Sequence, residues 1–311
     1  MEEILKTPEQ SAPTEQKPRK KLYAEHIMLI MILVLGIILG ALVAVCYPYF
    51  HVEDDPELLL QNSQGATAPT FPEEPTEVPG ETYPEPEKNP YGKLDFQYEG
   101  RYLGCIKAGT IPGVDVSYYQ GEVDWKQVKA SGIEFAIIRL GYRGYGQEGK
   151  LVEDKLAFEN IEGALKAGLK VGVYFFSQAI TVEEAVEEAE FVLERIADYN
   201  ITMPVVYDWE YISEEARTAK MDRETLTDCY IAFCEKIEAA GYTPMPYFNT
   251  YQSRSLMHLY ELERWPFWLA LYSSRMTFPY RIEMWQYTDS GRVPGISGNV
   301  DLNLYFVDEW F

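Results

Sequence analysis

Asp208 and Glu210 stand two residues apart in Pro204-Val205-Val206-Tyr207-Asp208-Trp209-Glu210, an otherwise apolar run. Side chains two apart on a strand project to the same side. Two carboxylates held that close cannot both ionise freely, so one keeps its proton to higher pH and suits general acid work. Asp115, in Gly113-Val114-Asp115-Val116-Ser117, and Asp301, in Gly298-Asn299-Val300-Asp301-Leu302-Asn303, are further acids in β-rich runs. The plainer reading is ordinary surface acids in an acidic chain. Against it, an apolar strand is a costly place for acids without a use. Aromatic residues gather at the same strand ends: Tyr118, Tyr142, Tyr174, Trp209, Tyr247, Trp285 and Tyr287. Sugar rings stack their C–H faces on such side chains, and Gln286 is a polar group placed to meet a hydroxyl. Aromatics also dominate cores, so about half of these are expected to be packing residues.

Other chemistries find little support. The three histidines, at 26, 51 and 258, are scattered, and no metal-binding spacing of His or Cys occurs. No G-x-S-x-G or phosphate loop is present, and Gly141–Gly146 lacks the Lys-Ser/Thr that phosphate binding needs. Neither metal nor cofactor is expected. Cys46 falls in an apolar run, Cys105 has no evident partner, and Cys229 and Cys234 are expected to be buried thiols on one helix.

The elements that must position these residues form an alternating pattern. Strands are predicted at 113–116, 135–140, 170–176, 203–209, 243–248, 267–271, 283–287 and 300–306. Helices are predicted over 154–167, ending at Gly168; from a cap at Thr181 with Glu184 three residues on; and from a cap at Asp222 to Gly241. Repeated β-α-β units imply a mostly parallel sheet, and eight strands in about 200 residues imply a barrel. The second half has thinner helices, so the barrel is expected to be irregular there. In such a barrel, chemistry sits at the C-terminal ends of the strands.

The 311 residues carry 27 Lys plus Arg against 49 Asp plus Glu, a net charge of −22. That argues against a nucleic-acid binder, which needs a basic face. Residues 1–26 are polar, with the basic cluster Lys17-Pro18-Arg19-Lys20-Lys21. Residues 27–50 carry no formal charge, and 27–46 is an unbroken apolar run. As a helix, 20 such residues span about 30 Å, the thickness of a hydrocarbon core. An uncleaved transmembrane helix through the lipid bilayer is expected, with residues 1–26 cytoplasmic because of the adjoining basic cluster. Residues 51–110 are expected to be an acidic, proline-rich extracytoplasmic linker, disordered from 51 to about 90 for want of core-forming residues; 91–110 is transitional, and its packing on the head stays open. Residues 111–311 form the head.

The head resembles glycoside hydrolase family 25, the Chalaropsis-type lysozymes. The resemblance covers residues 111–308 and rests on several motifs in order. These are Gly113-Val114-Asp115-Val116-Ser117 with Gln120-Gly121 and Asp124-Trp125; Phe135-Ala136-Ile137-Ile138-Arg139-Leu140-Gly141-Tyr142; Val171-Gly172-Val173-Tyr174; Asp208-Trp209-Glu210; Trp285-Gln286-Tyr287; and Val300-Asp301-Leu302-Asn303. Phe175 follows Tyr174 where many members carry His. The resemblance implies an irregular, flattened (β/α) barrel. It also implies cleavage of the β-1,4 bond between N-acetylmuramic acid and N-acetylglucosamine in peptidoglycan glycan strands. Glu210 would be the general acid, with Asp208, Asp115 and Asp301 lining the cleft. Two other readings stand beside it: a non-catalytic peptidoglycan-binding module, and a chitinase-like glycosidase acting on another N-acetylated glycan.

Overall fold

The computed structural model describes residues 84–307. The predicted tail (1–26), membrane span (27–50) and the linker as far as residue 83 lie outside the described residues. No helix among the described residues is long and apolar enough to cross a membrane.

All eight predicted strands are present, and three more accompany them. In chain order the strands are β1 (Phe96–Glu99), β2 (Tyr102–Cys105), β3 (Thr110–Val116), β4 (Phe135–Arg143), β5 (Leu151–Glu153), β6 (Lys170–Ser177), β7 (Val205–Trp209), β8 (Pro244–Asn249), β9 (Trp268–Ala270), β10 (Met284–Gly291) and β11 (Val300–Phe306). The helices are α1 (Trp125–Ala130), α2 (Ala157–Lys166), α3 (Val182–Ile196), α4 (Arg223–Ala239) and α5 (Thr250–Ser255). The sheet runs β3-β11-β10-β9-β8-β7-β6-β4, and pairing of β3 with β4 closes it into an eight-stranded ring, with β5 appended to β4. From β3 through β4, β6, β7, β8 and β9 to β10 every pairing in the ring is parallel; β11 is antiparallel to both its neighbours. The expected barrel is therefore a mixed one. Its irregularity has a visible source: no helix covers the step from β9 to β10, and β10 returns to β11 without a crossover.

Strand alternation divides the core into two layers. Phe135, Ile137, Val206, Met245, Trp268 and Met284 fill the inside of the barrel. Ala136, Ile138, Val173, Val205 and Tyr207 face outward and share a core with Ala185, Ala189 and Val192 of α3 and Phe233 of α4. Gly113 makes room for the barrel floor: a Cβ there would stand 2.2 Å from Phe135 Cζ. The capping signals hold. Thr181 Oγ1 accepts from the Glu184 N–H (3.3 Å), and Asp222 Oδ1 accepts from the Thr225 N–H (2.8 Å). Gly168 and Gly241 follow helix ends with φ of +80° and +87°, as left-handed stops require. Helix α2 starts later than the predicted 154. Asp154 turns aside, accepting from Leu156 N with one oxygen and from Arg139 with the other.

The linker boundary needs correction. Residues 84–90 fall in the stretch expected to be disordered and 91–110 in the transitional one, and both pack on the barrel. Phe96 of the β1–β2 hairpin meets Trp285 edge-on at 5.0 Å, and Tyr91 stacks on Phe306 at 5.0 Å. Upstream, Asn89 N donates to Pro279 O, Arg281 N donates to Glu87 O, and Lys88 lies over the Tyr280 ring. The acidic, proline-rich composition concealed this small apolar anchor. Cys105, Cys229 and Cys234 are free and buried, as expected for the last two, and burial pushes the Cys229 thiol up to about 12.

Candidate active site

The C-terminal ends of the parallel strands gather the predicted acids. Asp208 projects inward from β7, on the side opposite Trp209, and is buried; Glu210, one residue past the last rung of β7, is half-buried. Asp115 and Asp301 are directly opposite each other on β3 and β11. Burial pushes the Asp115 carboxyl above its ordinary range, against the opposing hydrogen bonds from Asn303 and Gln286.

A directed hydrogen-bond chain fixes Asp115. The indole N–H of Trp268 can only donate, and it reaches Asn303 Oδ1 at 2.9 Å. The Asn303 amide nitrogen is thereby turned to Asp115 Oδ2, at 2.6 Å. Gln286 Nε2 donates to the same oxygen at 3.0 Å. Gln286 Oε1 in turn accepts from Tyr247 (3.1 Å) and Tyr272 (3.2 Å). The charges of Glu210 and Asp115 bear on both phenols; that of Asp208 bears also on Tyr247, and that of Asp301 on Tyr272. Burial, the largest influence, and these carboxylates all raise the two phenol pKa values. Both phenols are therefore neutral donors, and the four acids, Gln286, Tyr247 and Tyr272 form one cluster.

A second group borders it on the β4 side. Arg139 is fully buried, with Nε 2.9 Å from Asp154 Oδ2, which also accepts from the Tyr118 N–H at 3.0 Å. The guanidinium lies 5.2–5.5 Å from the rings of Tyr118, Tyr119 and Tyr142. Lys155 Nζ stands 3.9 Å over the Tyr118 ring. Tyr118 is thus a half-buried ring fixed by cations at the rim. Tyr174 lies within the barrel, and Tyr142 packs with Phe176, Ile212 and Ala216.

Two expected sugar contacts are corrected. Trp209 and Trp285 are at most 2% exposed and belong to the outer core, because alternation turns them away from their neighbours Asp208, Glu210 and Gln286. Tyr287 likewise lies in that layer, its hydroxyl accepting from Leu103 N. Tyr272, Asn303 and Arg139 had not been singled out as site residues. Tyr272 sits in a segment without periodicity; 56% of the residue is exposed, but its hydroxyl end is turned into the cluster against Gln286. Asn303 and Arg139 alone carried a signal, as polar residues inside apolar strands. No group of three or more His, Cys, Asp or Glu among the described residues is placed to hold a metal.

Comparison with known proteins places this geometry. The family model for glycosyl hydrolases family 25 matches residues 114–296. Lysozyme M1 of Streptomyces globisporus is 28% identical over 256 residues, covering 77% of this chain and 83% of that protein. The autolytic lysozyme of Clostridium acetobutylicum is 28% identical over 197 residues, covering 63% of this chain and 56% of that one. Among solved structures, the modular autolysin LytC from Streptococcus pneumoniae superposes with a TM-score of 0.56 at 28% identity, covering 63% of this chain. This chain spans about half (47%) of LytC, which has also been solved in complex with a synthetic peptidoglycan ligand.

Proposed function

This chain belongs to glycoside hydrolase family 25, and on that premise we propose that it is a peptidoglycan hydrolase cleaving the β-1,4 bond between N-acetylmuramic acid and N-acetylglucosamine. The observation that carries the reading is the cluster itself: Asp208, Glu210, Asp115 and Asp301 around two neutral tyrosine donors at the open end of the barrel. Lysozymes among its relatives, and the peptidoglycan ligand held by LytC, support the substrate class.

Glu210 is the general acid in this reading. It gives its proton to the glycosidic oxygen as the bond to the anomeric carbon breaks. The 2-acetamido oxygen of the same sugar attacks that carbon, and Asp208 steadies the resulting oxazolinium ion. Water then opens the ring and passes a proton to the Glu210 carboxylate, which restores the acid and retains the anomeric configuration. Asp115, held by Asn303 and Gln286, shapes the floor of the site. Residues 27–50 anchor the enzyme in the cell membrane as a single span, with residues 1–26 cytoplasmic and the head outside, where peptidoglycan lies.

The test is digestion of purified peptidoglycan by the full chain and by Glu210→Gln, with released ends reduced by borohydride and identified by mass spectrometry. Reduced muramic acid ends from the parent protein, absent with the variant, are expected. Reduced N-acetylglucosamine ends would reassign the bond. No fragments from either protein, together with retention on the wall pellet, would replace the enzyme reading with a binding module. Products of inverted configuration would refute the role given to the acetamido group.

A further inference from the structure

Glu210 lies where the sheet has stopped defining the backbone. The last rung from β7 to β6 joins Trp209 to Ser177, and the last to β8 joins Asp208 to Tyr247. Yet the two peptide planes that flank the Glu210 Cα are each held by a buried glutamine. Gln252 Nε2, on α5, donates to Trp209 O at 2.6 Å. Gln178 Nε2, just past β6, donates to Glu210 O at 2.9 Å and to Ser177 O at 2.9 Å. These side chains are 1% and 0% exposed.

Neither amide can turn round. Carbonyl oxygens only accept, so the nitrogen of each glutamine must face them. The other end of each amide is matched to a donor. Asn249 N donates to Gln252 Oε1 at 2.7 Å, and Thr218 Oγ1 donates to Gln178 Oε1 at 2.9 Å. Thr218 is 1% exposed and follows Arg217, which ties the same loop to Gln178 O (3.2 Å) and to Glu184 (2.6 Å). Fixing the peptide planes on both sides of a Cα fixes φ and ψ, and with them the direction of its Cα–Cβ bond.

We propose that Gln178 and Gln252 are positioning residues that clamp the backbone on either side of Glu210 and so aim its carboxyl, with Thr218 locking the Gln178 amide. The inference rests on Glu210 being the acid. Neither glutamine need touch substrate. Each is supplied by a different neighbour of β7, so the acid's direction is set by the ends of β6 and β8 rather than by its own strand.

The test uses the full chain and soluble muramyl-glucosaminyl oligomers. Gln178→Met keeps the length of the side chain and removes the donor. A catalytic group misplaced by about 1 Å can lose about a hundredfold in rate, so kcat is expected to fall at least about tenfold while KM stays within about twofold. Thr218→Val, which leaves Gln178 in place but strips its buried Oε1 of a donor and loosens the clamp, is expected to fall in the same direction, and Thr218→Ser to restore the rate. A kcat equal to the parent's in both Gln178→Met and Thr218→Val overturns the clamp. Loss of activity in proportion to the unfolded fraction, or with KM rising as kcat falls, also overturns it in favour of a purely structural role. Should Gln178→Met fail to fold, the Thr218 pair decides. Glu210→Gln runs alongside: full activity there would refute the acid assignment, whereas an inactive Glu210→Gln beside an unaffected Gln178→Met refutes the clamp alone.

Discussion

Phe96→Ala tests whether the hairpin ahead of the barrel belongs to the fold. Phe96 is 7% exposed and touches three rings edge-on: Trp285 at 5.0 Å, Tyr91 at 6.2 Å and Phe306 at 6.3 Å. Burying a Phe side chain contributes about 1.5–3 kcal/mol, and aromatic pairs of this geometry add about 1 kcal/mol. Core Phe→Ala changes cost about 3–5 kcal/mol once the cavity is included. Phe96 lies at the edge of the core, where neighbours can settle, so the low end, about 3 kcal/mol, is expected. In a domain of this size that lowers the melting midpoint by about 6–12 °C. The assay is thermal unfolding of the full chain followed by near-ultraviolet circular dichroism, which sees the packed aromatics. Were residues 84–110 an unpacked linker, the change would stay within about 0.5 kcal/mol, as at other surface positions. A midpoint moved by less than about 2 °C would therefore refute the packing argument.

Two further outcomes follow from buried charge. Glu188 is fully buried, and burial pushes its carboxyl from 4.5 to about 7, although Arg143 Nε stands 2.7 Å away, because that one cation is shared with Glu187 and Glu184. The folded state then holds a proton that the unfolded state releases between about pH 4.5 and 7, so stability falls as pH rises through that window, by on the order of 3 kcal/mol. In urea unfolding from pH 5 to 8, Glu188→Gln should flatten this decline; an unchanged slope would sink the assignment. Asp154→Ala strands the buried Arg139 charge and should cost about 3–5 kcal/mol in the same measurement, whereas a loss under about 1 kcal/mol would show the pair to be dispensable.

Periodicity made most of the barrel legible. The predicted strand at 300–306 coincides with β11, and the caps at Thr181 and Asp222 hold because each depends on a short local bond. The placement of Asp208 and Glu210 on one side followed from alternation, and the same rule should have removed Trp209 from the cleft at once. What local pattern cannot express was missed. The hairpin β1–β2 is two four-residue strands whose stability comes from Trp285 and Phe306, far along the chain. Tyr272 lies in a step without a helix, so no period marked its side. Gln178 and Gln252 matter through carbonyls on other elements, and a glutamine in a sequence carries no sign of which carbonyl it will meet.

The strap at 87–91 and the acids occupy opposite ends of the barrel. Glu87 and Asn89 bond to the segment that leads into the start of β10, while Asp208 and Glu210 stand where β7 ends. Whatever restrains the chain upstream of residue 84 therefore takes hold of the molecule by its heel. A pull on that end bears first on the single β-bridge between Lys88 and Tyr280 and on the stacked ring of Tyr91. The mouth of the barrel lies at the far end of the head from residue 84, so the strap and the site do not compete for the same surface.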